Sequence, residues 1–236
     1  LMCITFSSYV NSAQEKHPKL ILQITVDQLR GDMPYRYLDK MGKGGFKYLL
    51  NKGVVYKDAH HNHANTETIV GHATLATGAL PAVHGMIGNV WYDNKLDRLV
   101  YNIEDADYPL LSTNADVDQK TEVDPTQRTA KSSGRSPRNI QVSTFSDELA
   151  IASNGKAKIF GVSVKDRGAV SLAGHMGKAF WFSKKSGEFV TSASTETLPV
   201  TNPANQQLLA EVPLATADEV DRAIACASEA FKTWKN

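Results

Sequence analysis

Five side chains in this sequence have types and positions that could do chemistry. Asp27 ends the apolar run LILQITV at residues 20–26. Thr68 sits where a polar stretch gives way to a helical one, in Asn65-Thr66-Glu67-Thr68-Ile69-Val70-Gly71-His72. A hydroxyl at a helix N-terminus feels the positive end of the helix dipole, and the same place suits a phosphoryl group. Asn89 follows a glycine-bearing loop. Lys165 and Arg167 follow a second apolar run, KIFGVSV at 158–164, and two residues apart on an extended chain they point the same way. On residue types alone, the same positions also suit capping hydroxyls and surface charges.

Histidines and cysteines point elsewhere. His60, His61 and His63 are close in sequence, but the adjacent pair would point oppositely on a strand and no further ligand follows at zinc-finger spacing. They read as polar loop residues. Cys3 and Cys226 lie at opposite ends of the chain, without partners at metal-ligand spacing, so neither a disulfide framework nor a cysteine zinc site is expected. Cys226 falls in an amphipathic run at 220–234 and reads as a packed thiol.

The elements that must position these groups follow from periodicity. Residues 20–26 and 158–164 read as buried parallel strands with charged residues at their carboxyl ends, where sites gather in open α/β sheets. Residues 35–51 have helical spacing, with Gly53 as C-cap, and 54–59 read as a further strand. Residues 69–77 and 142–153 read as helices. A hairpin is expected from 89–92 and 99–101 around Asp93-Asn94, and short strands at 179–182 and 188–192 around a Lys-Ser-Gly turn. Residues 105–138 read as a long surface loop or lid, with the basic stretch 128–138 solvated. The alternation of strand and helix predicts an α/β domain with a mostly parallel sheet and flanking helices.

Composition sets the outer bounds. The 236 residues are 42% hydrophobic and 22% charged, ordinary for a globular domain, and the formal net charge of +1 gives no bulk attraction to nucleic acid or an anionic membrane. No stretch reaches the ~20 apolar residues of a membrane span. Residues 1–13 read as the clipped end of a secretory signal, with Val10 and Ser12 at small-residue spacing. That reading implies a periplasmic or secreted protein.

Several separated motifs sharpen the chemistry. VDQLRGDMPYRY from Val26, GKGGFKYLL from Gly42, TETIVGHATLATG from Thr66, PAVHGMIGNVWYD from Pro81, SPRNI from Ser136 and VSVKDRGAV with AGH from Val162 occur in one order over residues 19 to about 190. This stretch resembles the alkaline phosphatase superfamily, closest to the phosphate-irrepressible bacterial type with a threonine nucleophile, itself related to type I phosphodiesterases. The resemblance implies a zinc-dependent phosphate monoesterase fold at 17–186. In it Thr68 corresponds to the nucleophile and, with Asp27, to a zinc ligand. Asn89, Lys165 and Arg167 correspond to the phosphate contacts. Two zinc ions about 4 Å apart serve such a displacement. The family's remaining zinc ligands lie in a later portion, so the expectation is a truncated domain, inactive by itself, for a phosphate-ester small molecule. Oligomeric state is not read from the sequence.

From about Gly187 the text changes to GEFVTSASTETLPVTNPANQQLLAEVPLATADEVDRAIACASEAFKTWKN. Residues 187–236 resemble the amino terminus of aldehyde dehydrogenases of the methylmalonate-semialdehyde, CoA-acylating type. Two short strands around a turn are expected, then a helix at 217–235. The resemblance carries none of that enzyme's catalytic or nicotinamide-binding residues. The simplest account is a fusion of gene fragments or an assembly artefact.

Overall fold

The computed structural model describes residues 18–111 and 125–192, and the backbone of 198–201 and 208–212. Cys3, Cys226, residues 1–13 and the helix expected at 217–235 lie outside them. The chain forms two compact units, Leu1–Val54 and Val55–Asn236.

The first unit differs from the sequence expectation. Residues 20–26 are extended but join no ladder, and Leu20, Leu22 and Ile24 are 79%, 72% and 67% exposed. A central parallel strand needs hydrogen-bonding neighbours, and none lies among the described residues of this unit. Asp27 stands exposed in the turn that follows, beside Gln28 at φ 56°. The helix expected at 35–51 is broken into α1 (Met33–Arg36), a 3-10 turn at Leu38–Lys40 and α2 (Gly45–Lys52). Gly42, Gly44 and Gly45 cause the break, Gly45 taking φ 56°, which ordinary residues avoid. Gly53 caps α2 as expected, its N–H reaching the Leu49 carbonyl. The strand expected at 54–59 is absent; Val54 and Tyr56 are each 83% exposed, and residues 57–58 form a turn.

In the second unit, α3 (Thr68–Thr77) ends on Gly78 at φ 68° and is followed by α4 (Pro81–His84). The expected hairpin forms from β1 (Val90–Asp93) and β2 (Arg98–Tyr101), with Val90 opposite Tyr101. Next come α5 (Phe145–Ala152), β3 (Phe160–Ser163), α6 (Asp166–Ala173), β4 (Lys178–Ser183) and β5 (Glu188–Val190). β3 pairs parallel with β4 through the α6 crossover, and β5 returns antiparallel. The class is α/β with mixed sheets. In the tail, β6 (Leu198–Thr201) and β7 (Leu208–Val212) pair antiparallel, in the order expected there.

α3 and α6 share the core of this unit: Ile69, Val70 and Ala73 of the former join Ala169 and Val170 of the latter with Met86, Tyr101 and Trp181. Close approach of α6 to β3 requires Gly161, where an added Cβ would lie 2.3 Å from the Ala169 carbonyl oxygen. β3 was expected to be buried on both sides. It is instead an edge strand, with Phe160, Val162 and the following Val164 53–65% exposed. The expected solvated loop at 128–138 is also corrected. Ala130, Arg135 and Ser136 are buried, because Asp105 and Asp166 hold Ser136 and Arg135 from inside.

Candidate active site

Thr68 is the first residue of α3, not its cap; the N-cap is Glu67, whose side chain makes no capping bond. Thr144 shows the contrast. It accepts the Asp147 N–H in a complete capping box at the start of α5, whereas the Thr68 hydroxyl makes no hydrogen bond among the described residues.

The capping role at α3 falls to Asn89. Its Oδ1 accepts the Ile69 N–H at 3.2 Å, and its own N–H donates to Glu67 Oε2 at 2.6 Å. Its carbonyl oxygen accepts from Asn102 through both the backbone N–H and Nδ2. Since Ile69 offers a donor, the atom facing it must be the amide oxygen. The Asn89 NH2 is thereby turned away from the Ile69 N–H and meets no acceptor among the described residues. Both Thr68 and Asn89 are half-buried. Asn65 braces the arrangement, bonding the Glu67 N–H and the Ile87 carbonyl.

The first turn of α6 packs on the same helix. His72 Nδ1 donates to the Thr68 carbonyl at 2.7 Å, and its Nε2 lies 3.8 Å from where a Cβ on Gly168 would stand. Lys165 is the N-cap residue of α6 and half-buried, and Arg167 is 6% exposed. The Arg167 Nη1 reaches the Tyr101 hydroxyl at 3.4 Å and Thr126 Oγ1 at 3.5 Å. Tyr101 closes the hairpin opposite Val90, next to Asn89. Thr68 and Asn89 thus lie at the start of α3, and Lys165 and Arg167 at the start of α6, which packs against α3 in the core. Asp27 lies in the other unit.

Between the two cations stands a residue the sequence reading passed over. Asp166 is 3% exposed and accepts four hydrogen bonds: Tyr101 hydroxyl 2.8 Å, Gln127 Nε2 2.8 Å, Arg135 Nε 2.6 Å and the Arg167 N–H 2.8 Å. Arg135 stacks 5.0 Å over the Tyr101 ring. Burial, then the Asp166 charge, pushes the Tyr101 phenol pKa well up, so it stays a donor. Three of these partners, Arg135, Gln127 and Tyr101, lie 31 to 65 residues from Asp166, so no local spacing announces them. Glu67 was missed likewise; its partner is 22 residues on.

The histidines form a structural chain. His63 Nδ1 bonds the Asn65 carbonyl and its Nε2 the Thr74 hydroxyl, which also meets His84 Nε2. His84 accepts the Met86 N–H on Nδ1, and burial, then the nearby His63, holds its pKa low. Among the described residues no three His, Cys, Asp or Glu side chains stand close enough to hold a metal. No helix there is long and apolar enough to cross a membrane.

Comparison with known proteins gives the family. The chain is 40% identical over 185 residues to alkaline phosphatase PafA of Elizabethkingia meningoseptica, covering 77% of this chain and 31% of that one. A solved PafA variant, altered at a threonine, an asparagine, a lysine and an arginine, aligns with TM-score 0.62 at 36% identity, over 74% of this chain and 31% of that one. The chain therefore spans about a third of the length of these relatives. Over 50 residues the chain is also 50% identical to malonate-semialdehyde dehydrogenase 1 of Geobacillus kaustophilus, covering 21% of this chain and 10% of that one. The family model for type I phosphodiesterase / nucleotide pyrophosphatase matches residues 21–221, and the chain belongs to that family.

Proposed function

We propose that this chain carries the nucleophile and phosphate contacts of a phosphate-monoester hydrolase. The observation that supports the reading best is the Asn89 amide: its Oδ1 takes the N–H of Ile69, the residue after Thr68, which leaves its NH2 and the Thr68 hydroxyl for a ligand at the start of α3. In this reading a phosphoryl group sits at the helix N-terminus, its charge met by the dipole, Asn89, Lys165 and Arg167. Thr68 Oγ bonds phosphorus as the ester oxygen leaves, and water then hydrolyses the phosphothreonine. Two retained cations favour a dianionic monoester over a diester. The four residue types, in this chain order, are also those altered in the solved PafA variant. The substrate is a small phosphate ester with no nucleic-acid partner. The compartment, periplasmic or secreted, rests on residues 1–13.

The zinc reading assigns Asp27 and Thr68 as ligands. A carboxylate and a hydroxyl are fewer than the three protein ligands of a catalytic zinc, and no further group of ligands stands together among the described residues. These residues do not make a zinc site by themselves, and the polypeptide alone is expected to show little or no turnover. The test is phosphate binding by calorimetry on the full chain, with Lys165→Ala/Arg167→Ala. We expect at least a tenfold loss of affinity; equal affinity removes the reading. Any p-nitrophenyl phosphate turnover with added zinc must vanish in Thr68→Ala.

A second reading concerns the tail. The 50-residue dehydrogenase match supports a fragment joined near Gly187, with 187–236 as its aldehyde-dehydrogenase-like part and no activity of that class. Packing onto the front part continues past the seam: β5 pairs with β4, and Ser192 Oγ donates to the Arg135 carbonyl. Continuous sequencing reads across codon 187 separate a true fusion from an artefact.

A further inference from the structure

We propose that Asp166 is the positioning residue of the phosphate-binding arm. The inference rests on the reading of Lys165 and Arg167 above. The two cations flank Asp166 in sequence, and its buried carboxylate fastens the first turn of α6 to three separate parts of the unit. Oδ1 takes the Tyr101 hydroxyl of β2, the Gln127 amide of the 3-10 turn at Gln127–Thr129 and the Arg167 N–H; Oδ2 takes Arg135 Nε. The Tyr101 hydroxyl donates to Asp166 and accepts from the Arg167 guanidinium at 3.4 Å. One phenol thus relays the position of the carboxylate to the cation. The same tyrosine stands opposite Val90, and the next residue, Asn102, holds the Asn89 carbonyl. Asp166 therefore registers the arm against Asn89 without touching the phosphate. Arg135, with no side-chain exposure, is the buried counter-charge of this carboxylate at 2.6 Å.

The test uses the full chain and inorganic phosphate. Asp166→Asn places an amide against Arg135 and removes the charge; phosphate affinity should fall about tenfold while far-UV circular dichroism stays that of the wild type. Tyr101→Phe deletes only the relay and keeps the ring under Arg135; it should lose about threefold. A folded Asp166→Asn chain that binds phosphate like wild type overturns the proposal. Should Asp166→Asn not fold, unchanged affinity in Tyr101→Phe overturns it instead. A purely structural role would leave the Arg167 Nε–H signal in proton–nitrogen NMR unmoved; positioning predicts that its solvent exchange quickens at least tenfold in either variant. That signal is read without phosphate. If wild type and Arg167→Ala bind phosphate alike, the phosphate reading fails, while the exchange rate still decides for or against positioning.

Discussion

At the scale of single residues, Asn89 separates two roles that are normally confounded. Asn89→Asp keeps an oxygen for the Ile69 N–H and replaces the outward NH2 with a charged acceptor. We expect stability to change by less than about 1 kcal/mol, while phosphate affinity falls at least tenfold; equal losses in Asn89→Asp and Asn89→Ala would assign it a capping role only. Arg135 makes the opposite case. Its guanidinium is buried against Asp166, so Arg135→Ala leaves an unpaired buried carboxylate and should cost about 3–5 kcal/mol in urea unfolding. The legibility of these residues differs for a physical reason. Thr68, Asn89, Lys165 and Arg167 sit at element ends, and element ends show in periodicity. Arg135 is indistinguishable in sequence from its neighbours Arg128 and Arg138 until the fold brings Asp166 to it.

At the scale of elements, a latch joins the start of α5 to the end of α6. Asp147 accepts the His175 N–H at 2.7 Å, the Met176 N–H at 2.9 Å and the His175 ring at 2.9 Å, while His175 Nε2 faces the Ile140 carbonyl at 3.0 Å. Both ring nitrogens face acceptors, which favours the imidazolium. Burial alone lowers the His175 pKa, but the Asp147 bond and charge outweigh it and the net shift is upward. For Asp147, burial raises the pKa, and the His175 and Thr144 bonds bring it below the usual range. The signs fix a window. The histidine's contribution is full below about pH 6.5 and fades as pH rises through its higher folded value; the aspartate's is full above about pH 3.9 and fades as pH falls through its lower folded value. Unfolding free energy should therefore decline on the alkaline side of the window, and His175→Gln should flatten that limb. An unchanged slope would sink the latch. Gly174 lies inside it at φ 70°, where a Cβ would meet Thr144 Oγ1 at 2.2 Å; Gly174→Ala should cost about 2–4 kcal/mol. Hairpin and helix α5 were legible because turn residues and 3.6-residue spacing are local. The 35–51 helix was misread because three glycines outweigh apolar spacing.

For the whole molecule, the same apolar runs that announced an α/β sheet are the ones left uncovered. Residues 20–26 and the outer face of β3 carry strand composition without a neighbour on at least one edge among the described residues. Their patterning was legible; their neighbours are not encoded in the runs themselves. Open edges of this kind recruit other chains. The protein should self-associate at micromolar concentration in size-exclusion chromatography with light scattering. Val162→Lys, at a position 58% exposed, should shift it toward monomer. A monomer in both cases would show that these surfaces are tolerated.

The bonds between Glu67, Ile69 and Asn89 have a consequence in time. They close loops of 22 and 20 residues, whose entropy must be met before either bond forms. The α3 start has no local cap to nucleate it, unlike α5 with its Thr144 box. During folding, the first turn of α5 is capped by bonds local to it, while the first turn of α3 waits for the hairpin to arrive. Thr68 acquires its setting late, in the same step as Asn89. A chain whose hairpin has not yet reached α3 would lack the bonds that set Asn89 beside the start of that helix.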